Sequence, residues 1–226
     1  MFYAAVVPDV NETDYNDMRV TATLEVANTL RKYSRISDTS ERLTFSRWEV
    51  IENIPVIVVC QFGSFVVGDN FASTFIEHYR AELLKLPHNL AQKSHYMTGF
   101  IADEFTKDNI LSKQEEYYIS AAFTELCVTK GIGGILYPSS RADCKGFNVA
   151  IHPDYVDRCL RLKAVREATL QINDDDINIL YDTMCWVEND AVPFELTPVK
   201  DVIHPRNDVT TAHSINLKFV REEGQQ

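Results

Sequence analysis

The residues of this chain whose types could do chemistry are split between distant places. Glu25 stands in TATLEVANTL, flanked by Leu24 and Val26. Ser139, Arg141 and Lys145 stand more than a hundred residues later, in GILYPSSRADCKGFNVAI (134–151). That second stretch puts hydroxyls and cations between two apolar runs, 135–137 and 147–151, which read as buried strands. A plain hairpin needs only Gly, Asn or Asp at its turn. Taken alone, Glu25 is either a solvated helix glutamate or a carboxylate aimed into a cleft. Arg141 and Lys145 are either loop solvation or an anion clamp. Ser139 follows Tyr137-Pro138 with no G-x-S-x-G elbow around it, so nothing marks it as an acyl-transfer nucleophile.

Other motifs carry less. KGIGG (130–134) lies after a helix and before a strand. A dinucleotide-binding glycine loop needs the opposite order, so that a helix N-terminus faces the phosphate. A helix stop is the expectation there. The six histidines show no metal-ligand spacing, and no metal site is expected. DDD (174–176) lacks the remaining positions of a calcium loop and reads as a solvated turn. The five cysteines are widely spaced, without C-x-x-C, and are expected to be mostly buried free thiols.

The elements that must position these residues follow from periodicity. FYAAVV (2–7) reads as a strand, NETDYND (11–17) as a polar loop, and 18–33 as a helix with Val20, Leu24, Ala27 and Leu30 on one face. Strands are expected at 42–51 and 55–62. A helix over 69–86 has Asp69 as N-cap and Phe71, Phe75, Tyr79 and Leu83 in register. Helices follow at 89–105 and 113–131, the latter with Ile119, Phe123, Leu126 and Cys127 on one face and Gly131 as its stop. A short helical connector (152–160) leads to a strand at 161–172; beyond 174 the periodicity weakens and prolines scatter. Strands and helices mix without regular βαβ alternation, which predicts an α+β fold.

At 226 residues the chain can bury one sizeable core. Its net charge of −11 argues against nucleic-acid binding through the overall field. The start, MFYAAVVPDV, has no basic n-region, and the longest apolar tract (54–68) is short and interrupted, so a cytoplasmic protein without membrane spans is expected.

GGILYPSSRADCKGFNVAI, with the helix YYISAAFTELCVTKG before it, resembles the C-terminal half of the RES domain. MFYAAVVPDV and MRVTATLEV resemble that domain's middle portion, a tyrosine-bearing strand leading to a helix with the family glutamate. The resemblance spans roughly residues 2–165. It implies that Glu25 and Ser139 are catalytic and that Tyr3, Tyr137 and Arg141 bind the substrate. It implies NAD+ as substrate, with no separate cofactor, cleaved at the nicotinamide–ribose bond by a glycohydrolase or phosphorylase. Such proteins are toxins paired with a helix-turn-helix antitoxin, and their fold, a small mixed β core flanked by helices, is similar to that of ADP-ribosyltransferase toxins. The family's arginine would precede Met1, so residues 1–174 are expected to form an N-terminally incomplete RES-like domain and 175–226 a partly irregular extension. The alternative expectation is a non-catalytic interaction protein, or a remnant, that keeps the fold without that arginine.

Overall fold

The computed structural model describes residues 1–7, 12–27, 30, 39–60, 70–107, 117–142, 146–173, 176–187, 195–198 and 214–218. Asp69, Cys144, Lys145, Arg31 and Arg35 lie outside them, as does most of the chain after 187. The architecture is α+β, with two sheets and five helices among the described residues.

The first sheet is small and mixed. It contains β1 (Phe2–Ala5), β3 (Val56–Val58), β4 (Gly134–Pro138) and β5 (Phe147–Ile151), in the order β1-β5-β4-β3. β3 and β4 are parallel and the other pairs antiparallel. The second sheet is antiparallel and longer. β2 (Thr39–Val50) pairs with β6 (Leu160–Asn173), β6 with β7 (Asp176–Trp186), and β7 with both β8 (Thr197–Pro198) and β9 (Ser214–Lys218).

Strand alternation sends successive side chains of the small sheet to opposite faces. Phe147, Val149, Ile151, Leu136, Phe2, Ala4 and Val6 gather on one face with Leu160 and Trp48 from the second sheet. α2 (Asn70–Leu83) adds Phe75 to that cluster, as its i, i+4 spacing predicts. Ile135, Ile57 and Tyr137 point the other way. There α3 (His88–Thr106) and α4 (Tyr118–Thr129) cover them with Ala102, Phe105, Phe123 and Cys127. The sheet takes only a narrow arc of α4. Ile119 and Leu126, expected on the same face as Phe123 and Cys127, fall about 40–60° outside that arc and are exposed.

α4 ends as its glycine predicts. Gly131 has φ 81°, its N–H donates to Val128 O at 2.9 Å, and Ile132 N–H donates to Cys127 O at 3.1 Å. This paired closure satisfies two terminal carbonyls and requires the left-handed residue. α5 (Pro153–Cys159) starts with proline in its first turn and leads directly into β6.

α1 (Glu12–Val26) differs from its expectation at both ends and on its buried face. It begins inside the stretch expected to be a loop; an acid-rich run suits the positive end of a helix dipole. Over 18–26 its fully buried positions are Thr21 and Thr23, not Val20 or Leu24; Ala27, just beyond it, is buried as expected. Residues two apart on a helix point about 200° apart. α1 therefore has two contact rows. Arg19, Thr23 and Ala27 face the second sheet, where Arg19 donates to Tyr181 Oη at 3.4 Å and Ala27 joins Leu43, Leu170 and Tyr181. Thr21 and Glu25 face the small sheet and its loop.

The chain after 174 is not a separate packing unit as far as residue 187. β7 pairs with β6 along its whole length, and Ile179, Tyr181 and Met184 complete the core made by Leu43, Ala168 and Leu170. The weak sequence signal there has a simple cause: β7 shifts register at Asp182, so its core-facing residues change from Ile179 and Tyr181 to Met184 and Trp186 and the alternation is broken. Of the four described cysteines, all are free; Cys60, Cys127 and Cys159 are buried. Burial pushes the Cys60 thiol up to about 11. Among the described residues, no helix is long and apolar enough to cross a membrane.

Candidate active site

The loop between β4 and β5 is where the polar residues are spent. Ser139 follows β4 directly, and its N–H donates to Gly146 O at 2.8 Å, closing the loop at its base. A single 3₁₀ turn, Ser140–Ala142, follows. Ser139 Oγ caps that turn, accepting from Ala142 N–H at 3.2 Å. The same hydroxyl donates to Glu25 Oε1 at 2.6 Å. Ser139 is completely buried, so its hydroxyl is committed to these two partners.

Glu25 is the hub of the cluster. Its Oε1 also accepts from Asn148 Nδ2 at 2.8 Å, and its Oε2 lies 3.7 Å from Arg141 Nε. Arg141 donates from Nη1 to Leu24 O at 3.3 Å, meeting a carbonyl in the last turn of α1. A glutamate in that last turn stands at the negative end of the helix dipole, where a carboxylate is disfavoured. Arg141 offsets this by placing a cation against both the carboxylate and the helix end. The Glu25 side chain keeps about a third of its surface open, at 31 %, and Arg141 keeps 23 %.

Register explains why these groups meet. Asn148 pairs with Tyr137 on one side and Ala5 on the other; Ala150 pairs with Ile135 and Tyr3. Paired and alternate residues share a face, so Tyr3, Tyr137 and Asn148 all lie on the face away from Phe147 and Val149. α3 and α4 cover the part of that face around Ile135 and Tyr137, where Phe105 packs on the Tyr137 ring with centroids 5.4 Å apart. Tyr137 thus stands between the dry helical side and Glu25. Its phenol is pushed well above the ordinary tyrosine range by burial, reinforced by the Glu25 carboxylate and by Tyr3 and Tyr117. It remains a neutral O–H at physiological pH. Tyr3 and Tyr117 are mostly exposed.

Close approach of α1 to the loop depends on Gly146. A Cβ there would lie 2.4 Å from Thr21 Oγ1 and 3.0 Å from Thr21 Cγ2, so rotating the buried threonine would not relieve the clash. Thr21 is one turn before Glu25, and this contact sets the distance between the carboxylate and Ser139.

The structure therefore brings together Glu25, Ser139 and Arg141, with Tyr137 and Tyr3 on the adjoining sheet face. Asn148 and Tyr117 were not singled out from sequence. Asn148 had a signal: one amide in the otherwise apolar strand FNVAI, whose residues are all buried, must find a partner. Tyr117 had none, because it sits just ahead of α4 and is contributed by the packing of that helix. Among the described residues no three His, Cys, Asp or Glu gather to hold a metal. The arrangement can fix a carboxylate beside a partly open aromatic surface and a guanidinium. Comparisons with family models, curated proteins and solved structures find no match to this chain.

Proposed function

We propose that this chain is a RES-like enzyme that cleaves the nicotinamide–ribose bond of NAD+. The observation that carries the proposal is the Glu25 carboxylate, held through Oε1 by Ser139 and Asn148 and flanked at Oε2 by Arg141. In this reaction the bond from C1′ to the nicotinamide nitrogen breaks, and its electron pair neutralises the pyridinium. Positive charge spreads over C1′ and the ring oxygen of the ribose. Water or phosphate then attacks C1′, and the proton it gives up passes to solvent. A carboxylate fixed beside the ribose stabilises that charge, most effectively when it need not reorganise.

Glu25 is the group that meets the ribose. Ser139 is buried behind it and acts as a positioning residue, with Asn148 as its second anchor. Tyr3 and Tyr137 offer aromatic surface for the nicotinamide. Arg141, partly exposed, suits the pyrophosphate because its planar fork binds oxygens in pairs.

The test is NAD+ consumption by the purified chain, with and without phosphate. Glu25→Gln keeps size and hydrogen bonding but removes the charge, and should lower the rate by about 10³-fold. Ser139→Ala should lower it by about 10²-fold, through loss of carboxylate position. A folded parent that leaves NAD+ intact, or a Glu25→Gln variant as fast as the parent, would remove this reading.

A further inference from the structure

The second sheet has an edge whose sequence is complementary to itself. β2 runs for twelve residues and pairs only with β6 among the described strands. A long edge strand presents unpaired N–H and C=O groups and is a template for another strand. The regular part of β2 ends at an irregularity between Arg47 and Trp48. Within that part, Leu43 is buried and Phe45 packs on the same core, while Arg42, Thr44 and Ser46 are exposed on the other face.

We infer that β2 pairs with the β2 of a second copy of this chain, antiparallel, about a twofold axis at Thr44. This register places Glu41 opposite Arg47 twice and Leu43 opposite Phe45 twice. It keeps each sheet face continuous, with apolar residues facing the core and Arg42 opposite Ser46 on the wet face. Slipping by two residues in one direction sets Leu43 against Arg47 and Glu41 against Glu49. Slipping the other way sets Glu41 against Phe45. Opposite charges across a strand pair stabilise it and like charges oppose it, so the Thr44 register is the favoured one. Glu41 and Arg47 also make contacts within their own protomer. The pairing extends the second sheet across the axis, and it does not depend on the reaction proposed above.

Light scattering after gel filtration of the full chain, over a dilution series, tests the inference. The parent should be a dimer. Glu41→Arg and Arg47→Glu each create two like-charge contacts and should raise the dissociation constant at least about tenfold. The double variant Glu41→Arg/Arg47→Glu restores opposite charges and should recover the parent's dimer. Circular dichroism establishes that each variant is folded. A monomeric parent would overturn the inference and leave this edge to an extended segment of another protein. A parent dimer untouched by both single reversals, or a double variant that stays monomeric, would overturn it equally.

Discussion

The two sheets use polar residues in opposite ways. On the small sheet, β5 is buried along its whole length, and its one amide, Asn148, is bound to Glu25. On the second sheet, apart from Arg166, which is buried over the Tyr181 ring, polar pairs lie at or near the outer surface: Thr169 Oγ1 donates to Asp182 at 2.7 Å, Thr183 Oγ1 to Glu167 at 2.8 Å, and Lys163 to Glu49 at 2.9 Å. The bond lengths are alike, but the consequences differ. In water each such pair exchanges one set of hydrogen bonds for another and contributes little. Around Ser139 and Asn148 no water competes, so losing one partner leaves another polar group unsatisfied. The small sheet holds a carboxylate in place, and the large sheet supplies mass and a core.

This contrast can be broken at three places. Leu170 is fully buried in the second sheet's cluster, which reaches α1 at Ala27, two positions beyond Glu25, but its side chain belongs to neither the loop nor the small sheet. Leu170→Ala should destabilise the fold by about 2–5 kcal/mol in urea titration while leaving NAD+ turnover per folded molecule unchanged. A large fall in turnover per folded molecule would mean that the two sheets are not separable in function. Gly146→Ala should cost about 1–3 kcal/mol of stability and also slow turnover, because the added methyl drives Thr21, and with it Glu25, away from Ser139. If stability falls and turnover holds, the α1–loop contact is structural only. Thr169→Ala, on the exposed ladder, should change stability by no more than about 0.5 kcal/mol and turnover not at all. A loss well beyond that would show the outer ladder to be more than a solvated surface.

Much of the fold was legible in the residues. The strands at 134–138 and 147–151 follow from their apolar runs and the helix at 70–83 from i, i+4 spacing, the helix at 88–106 was also expected, and Gly131 ends α4 in the left-handed conformation. α1 was less legible because it packs on both sides. A helix contacted by two sheets needs small or polar residues at its close approaches, and Thr21 and Thr23 do not form an apolar stripe. The hairpin of β6 and β7 was half legible, since the register shift at Asp182 interrupts the alternation of β7.

The site divides in the same manner. Residue types alone marked the loop after Pro138 as richer in donors than a turn requires, and marked Glu25 as a carboxylate among apolar neighbours. Asn148 was passed over within its apolar run, and its need for a partner became visible only once the strand proved to be buried. Only the tertiary structure decided which partner. Glu25, Ser139 and Asn148 are separated by 114 and 123 positions, and no local periodicity links them. They meet because strand register puts Asn148 on the face beneath α1, and because Gly146 lets the helix come within contact of the loop. Local propensity sets each element. The distance between a carboxylate and its donors is set by packing, which depends on residues far apart in the chain.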